Sequence, residues 1–157
     1  MAKKVLFVLV LLIVVAICIN VLVENSNNVL KDLNFEQTLI KTGAYFDEMN
    51  GSKAKIIKNM SEVEEYVVIY NDEQLKNELK IYNDSYFSEK ALVIIAIQES
   101  SGSNWNTLNT LKIIDNNLVC NVLRHQPEVG TCDMAMNYIL VQIDKKDIVN
   151  VKNVIIE

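Results

Sequence analysis

The run Ala91–Ile97, with the sequence ALVIIAI, is an unbroken apolar segment of strand length. A strand with one solvated face alternates apolar and polar residues, whereas a continuous apolar run is typical of a strand that is covered on both faces. The run therefore predicts a central strand with a helix on one side and a second layer on the other. Any fold of this chain has to place two layers around this segment.

Other strand-like segments lie on both sides of this run and predict a mainly antiparallel sheet. They share β-branched or apolar residues between polar turn signals, and they are Phe35–Phe46, Ala54–Lys58, Trp105–Asp115, Leu118–Arg124, Thr131–Ile143 and Ile148–Ile156. Turns are predicted at Asn50-Gly51-Ser52 and at Asn116-Asn117. Consecutive short strands with hairpin-length links are typical of a meander.

One amphipathic helix is predicted just before the central strand. Asn71 can serve as its N-cap, with a glutamine three residues later at the capping-box spacing. Leu75, Leu79 and Tyr82 then recur on one face with the helical period. The preceding segment Tyr66–Tyr70, YVVIY, is β-branched and aromatic and predicts a strand. The expected fold class is therefore α+β, a meander-like or sandwich-like antiparallel sheet with one amphipathic helix packed on it.

The N-terminal residues predict that a membrane is the first partner. Val5–Val23 is about 19 residues long, near the ~20 that an α-helix needs to cross a hydrocarbon core of ~30 Å. Lys3 and Lys4 precede this run and Glu24 follows it, so the positive-inside rule places the chain from Glu24 onward outside the cytoplasm. A cleaved leader, which would release a secreted domain, stays the alternative; Ala16-Ile17-Cys18 comes nearest to a cleavage site.

This pattern divides the chain into four parts. They are a cytoplasmic tip at residues 1–4, a transmembrane helix at 5–23, a polar tether at 24–34 and an external domain at 35–157. Without Lys3 and Lys4, 13 of the 15 basic residues stand against all 20 acidic ones, a net charge of about −7. This acidity argues against nucleic acid as a partner, because phosphates require clustered Lys and Arg.

Sequence motifs for catalysis or for cofactors are missing from the chain. It has no HExxH, GxSxG, Walker or dinucleotide-binding pattern, so no cofactor, metal or catalytic residue is predicted. Cys132 and His125, as nucleophile and base, define a hydrolase or redox alternative. Glu64 and Glu65 are adjacent, so on a strand they would point to opposite faces and could not act as a carboxylate pair.

The two external cysteines, Cys120 and Cys132, can form one disulfide if they meet. An extracytoplasmic setting permits oxidation, and closing a loop of this size contributes about 3 kcal/mol in the chain-entropy model. With a turn centred on Glu128, however, the two residues are out of register, and a bulge would be needed. A disulfide and two separate thiols both remain open.

Two loops are the candidates for recognition of a partner. The first joins the central strand to the meander, and its candidate residues are Ser101, Gly102, Ser103 and Trp105; small residues permit close backbone approach, and the tryptophan offers a large contact area. The second holds the only proline and the only histidine of the chain, and its candidate residues are Arg124, His125, Pro127 and Thr131.

From Tyr66 to Lys146 the order of features resembles the C-terminal domain of the protease complex subunit PrcB family. The segments that carry the resemblance are the helix NDEQLKNELKIY, then YFSEK, ALVIIAI and SSGSNW, and finally VGTCDMAMNYILVQIDK. The resemblance implies a small extracytoplasmic domain without catalytic activity, in a family named for a component that stabilises a protease complex. In place of the paired glycines of that family's loop, this chain has Ser101-Gly102-Ser103.

The leading hypothesis is a membrane-anchored, extracytoplasmic domain that binds another envelope or secreted protein, such as a protease that it stabilises or docks. A protease inhibitor of the cell envelope is the second hypothesis, because small β-rich domains with clustered loops can fill an active-site cleft. A secreted domain that binds a small ligand is a further alternative.

Overall fold

The computed structural model describes residues 30–44 and 51–157, which form eight strands, three α-helices and one 3₁₀-helix. The strands are β1 (Lys31–Asp32), β2 (Glu36–Thr42), β3 (Ser52–Ile57), β4 (Lys90–Glu99), β5 (Trp105–Ile114), β6 (Asn117–His125), β7 (Ala135–Asp144) and β8 (Asn153–Ile156). The helices are α1 (Met60–Tyr70), α2 (Glu73–Leu79), α3 (Asp84–Glu89) and the 3₁₀-helix Lys145–Ile148.

The strands form two four-stranded sheets. Sheet A has the order β1-β5-β6-β8, and sheet B has the order β2-β7-β4-β3. All neighbouring strands are antiparallel except β6 and β8, which run parallel with Asn117 beside Asn153. The segment 148–156 was predicted as one strand. It instead contains the last residue of the 3₁₀-helix, a connection and the short strand β8.

Strand β4 is the centre of the molecule, which confirms the prediction from its apolar run. Leu92, Ile94 and Ala96 lie in the core between sheet B and the helices, while Val93 and Ile95 lie in the core between the two sheets. Alternate residues of one strand therefore fill two cores. Truncating one of these side chains, as in Ile94→Ala, is expected to cost about 2–5 kcal/mol.

The segment Tyr66–Tyr70 is the end of helix α1, so the strand prediction for it was wrong. Asn59 caps the start of α1, since its side chain accepts from the Glu62 N–H at 3.0 Å. At the other end, Asn71 adopts a left-handed conformation with φ 42° and its N–H bonds to the Val67 carbonyl. Burial of Val63, Tyr66 and Tyr70 against sheet B outweighs the β-propensity of this run.

A buried carboxylate joins the helical layer to sheet B. Asp72, not Asn71, is the N-cap of α2, and its Oδ1 accepts from the Gln74 and Leu75 N–H groups. Its Oδ2 accepts from the Thr42 hydroxyl at 2.7 Å and from the Tyr138 hydroxyl at 3.3 Å. Four donors therefore satisfy a group that would be costly to bury alone.

The predicted fold class has to be corrected in two respects. Three short α-helices, instead of one, cover sheet B. The predicted transmembrane helix at residues 5–23 lies outside the described residues, and no helix in 30–44 and 51–157 is long and apolar enough to cross a membrane. The fold class becomes two packed, mainly antiparallel sheets with a layer of three short helices.

Two boundaries also differ from the sequence predictions. Lys31 and Asp32, expected in the tether, pair with Ile113 and Lys112 of β5 and so belong to the folded domain. The β5–β6 turn is centred on Asp115 and Asn116, with φ of 50° and 62°, one residue earlier than predicted. Positive φ at both central residues is the geometry of a type I′ hairpin.

Candidate functional site

The two loops predicted to recognise a partner lie against each other at one end of the sheets. The first loop, residues 100–104, joins β4 to β5, and the second, residues 126–134, joins β6 to β7. The Ser101 hydroxyl donates to the Thr131 carbonyl at 2.8 Å, and the Thr131 N–H donates to the Ser103 oxygen at 3.0 Å. We call these two loops, together with Trp105 and His125, the loop-end surface.

Gly102 stands at the closest approach between the two loops. Its N–H donates to the Asp133 carbonyl at 2.8 Å and to the Asp133 carboxylate at 3.1 Å. A Cβ at position 102 would lie 2.3 Å from Oδ2 of that carboxylate. A side chain at position 102 would therefore displace the Asp133 carboxylate. Hydrogen bonds from the Thr131 side chain, from the Asp133 N–H and from the Gly102 N–H hold the pKa of the Asp133 carboxyl below its ordinary value.

An ion pair between a buried carboxylate and a half-exposed guanidinium lies beneath the loops. Glu99, at the end of β4, is only 3% exposed. Arg124 donates to both of its oxygens, with Nε 3.0 Å from each and Nη2 2.6 Å from Oε2. Asn104 and Asn106 each add a hydrogen bond of 2.9 Å. Such bidentate pairing combines energy with fixed geometry.

These contacts determine the charge of Glu99. Burial raises the pKa of its carboxyl, but the hydrogen bonds from Arg124, Asn106 and Asn104 outweigh burial and bring the pKa below its ordinary value. Glu99 is therefore ionised near neutral pH, and its charge is balanced by Arg124. This arrangement holds the ends of β4, β5 and β6 together.

Sequence reasoning missed this ion pair, although two signals were present. Glu99 has the same strand parity as Val93 and Ile95, which places it on the face towards sheet A. A carboxylate on that face needs a cationic partner, and Arg124 is the only arginine of the chain. The pairing of Asn106 with Arg124 across β5 and β6 completes the geometry, and the sequence does not show that register.

Trp105 and His125 form an aromatic pair on the outer face of sheet A. Their ring centroids are 5.1 Å apart and their planes are 10° from parallel. Trp105 is 45% exposed, and Leu123, Val129 and Met134 are further exposed apolar residues on or beside the two loops. A partly exposed aromatic ring that stacks on a neighbouring side chain is typical of protein recognition.

His125 lacks the neighbours of a catalytic base. Its Nε2 lies 2.8 Å from the Thr107 hydroxyl, a distance that a nucleophile and its base could share. Within residues 30–44 and 51–157, however, no carboxylate is bonded to its other ring nitrogen. We therefore interpret the contact with Thr107 as a hydrogen bond that orients the imidazole against Trp105.

The cysteines lie apart and are not bridged. Cys120 is buried opposite Leu111 in the core between the sheets, and burial raises the pKa of its thiol to about 12. Cys132 is exposed in the second loop. Across the described part of the chain, no group of three or more His, Cys, Asp and Glu side chains could hold a metal ion.

A concave region lies at the end of β4 and β7 opposite the two loops. It has a volume of about 700 Å³ and is lined by charged side chains that include Lys31, Lys90, Asp144, Lys146 and Asp147. These charges neutralise one another, since Lys90 and Lys146 pair with Asp144 and Lys31 pairs with Asp147. A groove of paired ions offers a ligand little unbalanced charge, so we favour the loop-end surface as the site.

The structure thus unites most of the predicted binding residues. Ser101, Gly102, Ser103 and Thr131 are in contact, Arg124 and His125 lie beneath and beside them, and Pro127 is half-buried in the second loop. No protein-family model matches this chain, and no curated protein and no solved structure matches it significantly. The resemblance of residues 66–146 to the PrcB family therefore stays a prediction.

Proposed function

We propose that this protein is a non-enzymatic binding domain that recognises another envelope or secreted protein, such as a protease, through its loop-end surface. The observation that carries the proposal is the partly exposed Trp105 ring, which stacks on His125 beside two loops joined by their own hydrogen bonds and, through Asn104, to the Glu99–Arg124 pair. An aromatic side chain ordered in advance loses little conformational entropy on binding, which favours affinity.

The polar groups of the surface support recognition of a protein instead of catalysis. The hydroxyls of Ser101, Ser103 and Thr131 are used in contacts between the loops, and the exposed Cys132 has no neighbouring base among the residues described. These contacts fix the shape of the surface. Shape and a central aromatic anchor are what most interfaces rely on.

Recovery of partners with the full-length, detergent-solubilised protein tests this proposal. Tagged wild type is expected to retain a protease or other envelope protein, and the purified pair is expected to bind directly. The combined variant Ser101→Ala and Trp105→Ala should weaken that binding about thirtyfold, the loss of about 2 kcal/mol typical of a central anchor. Val149→Ala, which truncates an exposed apolar residue elsewhere, is the matched control.

Two results would contradict the proposal. One is a partner that binds wild type and the combined variant equally. The other is turnover of a substrate by the purified protein that is lost in Cys132→Ser or His125→Gln, which would favour the hydrolase or redox alternative.

Inhibition of a protease is a second candidate function, favoured by one observation. Val129 is 85% exposed in the second loop and follows Pro127 and Glu128. An apolar side chain displayed on a loop that is anchored at Thr131 could occupy a protease specificity pocket. Inhibition of the bound protease that is lost in Val129→Asp, with binding through Trp105 retained, would distinguish an inhibitor from a stabilising subunit.

We also propose that the domain lies outside the cytoplasm. The support is the charge pattern of the N-terminal residues, in which Lys3 and Lys4 precede the apolar run. Digestion of an epitope at the C-terminus by protease added to intact spheroplasts is the expected result. Protection of that epitope would contradict this location.

A further inference from the structure

The outer face of helix α1 leaves two large apolar side chains in solvent. Val68 is 78% exposed and Ile69 is 66% exposed, although both belong to the last two turns of the helix. Single exposed apolar residues are common on protein surfaces, but two adjacent β-branched residues on a helix are poorly favoured by both burial and helix propensity. Positions that violate local rules are where binding functions concentrate.

Two carboxylates lie one helical turn before this apolar pair. Glu64 and Glu65 stand four residues before Val68 and Ile69, so each acid is a surface neighbour of one apolar residue. Both acids are exposed, and their only ion pair with another described residue is a long one of 3.6 Å between Glu65 and Lys55. An exposed pair of this kind is worth little, so it leaves the acids available to a partner.

The whole helical layer carries a net negative charge, like Glu64 and Glu65. Residues 60–89 contain eight acidic and two basic residues, whereas the other described residues contain nine acidic and eleven basic ones. Helix α1 also has no basic residue in its last turn, so the negative end of its dipole is not neutralised locally. The negative charge of the domain is therefore concentrated on the layer that exposes Val68 and Ile69.

We propose that the outer face of α1, formed by Glu64, Glu65, Val68 and Ile69, docks a basic and apolar segment of a partner protein. An apolar side chain of that segment covers Val68 and Ile69, and its Lys or Arg residues pair with Glu64 and Glu65 one turn away. Burying the two apolar side chains provides affinity, and the charges set orientation and association rate. The surface is separate from the loop-end surface, because α1 and Trp105 belong to different layers.

Photocrosslinking in cells with the full-length protein tests this docking. A photoreactive phenylalanine analogue replaces Val68, and the same analogue at exposed Asn109 on sheet A is the background control. We expect a product only from position 68, and mass spectrometry should place the crosslink in a segment of another protein with Lys or Arg beside apolar residues. Trp105→Ala should leave this product unchanged.

Charge-reversal variants distinguish local pairing at Glu64 and Glu65 from an effect of the net charge of the helical layer. Glu64→Lys with Glu65→Lys should reduce the product at least about tenfold, since like charges at an interface cost several kcal/mol. Glu78→Lys with Glu89→Lys makes the same change of net charge on the same layer and should reduce it less than about twofold. Equal loss in both variants would overturn the proposal. A product with lipid, with this chain or a second copy of it, or with an acidic or neutral segment would also overturn it, as would no product above the Asn109 control.

Discussion

The loop-end surface and the outer face of α1 expose apolar residues for different structural reasons. At the loop end, Trp105 stacks on His125, and the buried Glu99 pairs with the half-exposed Arg124 beneath the loops. On α1, Val68 and Ile69 have no such support and project from a helix whose own sequence prefers a strand. The first surface is ordered by buried polar contacts, and the second is ordered only by the buried side of its helix.

This difference predicts how mutations in each surface change the free energy of unfolding of the domain. Changes beneath the loops should reduce the stability of the whole domain, because they leave a buried charge without its partner. Changes on the outer face of α1 should leave the fold intact, because no core contact is lost. Stability and binding should therefore respond together at the loop end and in opposite directions on α1.

Among changes that distinguish the two surfaces, Arg124→Ala is expected to have the largest effect. It leaves the buried Glu99 carboxylate with only Asn104 and Asn106 as side-chain donors and should lower the free energy of unfolding by about 2–3 kcal/mol. We place the loss below that of a fully buried pair because the Arg124 side chain is half exposed. Urea denaturation followed by circular dichroism measures the change.

A double variant provides the control for this prediction. Arg124→Met combined with Glu99→Gln removes both charges, keeps an amide oxygen as acceptor for Asn104 and Asn106, and should recover at least half of the loss, since it leaves no buried ion. If Arg124→Ala alone had no effect on unfolding, the ion pair would not support the loops, and the contrast with α1 would disappear.

Acid should weaken the loop end through the titration of Glu99. Its pKa in the folded state is below the ordinary value, so its contribution is fully present above the unfolded pKa of about 4.3 and is lost as pH falls through the folded pKa. Within that window, wild-type stability should fall more steeply than that of Glu99→Gln, by at most about 1.4 kcal/mol per pH unit. If the free energies of unfolding of the two proteins fell in parallel between about pH 6 and about pH 3, Glu99 would not have this role.

Gly102→Ala tests the contact between the two loops. The new Cβ would force the Asp133 carboxylate away and break its hydrogen bond to the Gly102 N–H, at a cost of about 1 kcal/mol. Asp133→Ala removes the carboxylate with which the new Cβ would clash. Adding Gly102→Ala to Asp133→Ala should therefore cost much less stability than adding it to the wild type. Thermal denaturation of the four proteins measures the coupling; additive losses would show that the side chain of Asp133 is not what excludes a Cβ.

The smallest effect should have the opposite sign. Val68→Ala with Ile69→Ala replaces two exposed β-branched residues by the best helix former and should raise the free energy of unfolding by about 0.5–1 kcal/mol. The same variant should reduce photocrosslinking from a neighbouring position on α1, such as Glu65. A loss of stability would mean that these side chains pack against the domain, and the comparison of the two surfaces would fail.

Several elements were accessible from local patterns because each depends on neighbouring residues. The run at 91–97 predicted a strand covered on both faces, and the small and turn-forming residues near 101 and 131 predicted loops. Helix α1 was missed because YVVIY has strand propensity. Its helical spacing is visible only in the structure, where the buried rings of Tyr66 and Tyr70 stack with their centroids 4.4 Å apart. Glu64 and Glu65 were consequently assigned to opposite faces, whereas the helix presents both to solvent.

By itself, the sequence determined that a continuous apolar strand lies at the centre of this domain and that loops lie near residues 101 and 131, since apolar periodicity and turn chemistry act over a few residues. Only the tertiary structure decided that the two loops meet, that Glu99 pairs with Arg124 and that Tyr66–Tyr70 is helical. These features depend on strand register and on contacts between residues 25 or more positions apart. Local preferences are too weak to specify such contacts until the two cores are formed.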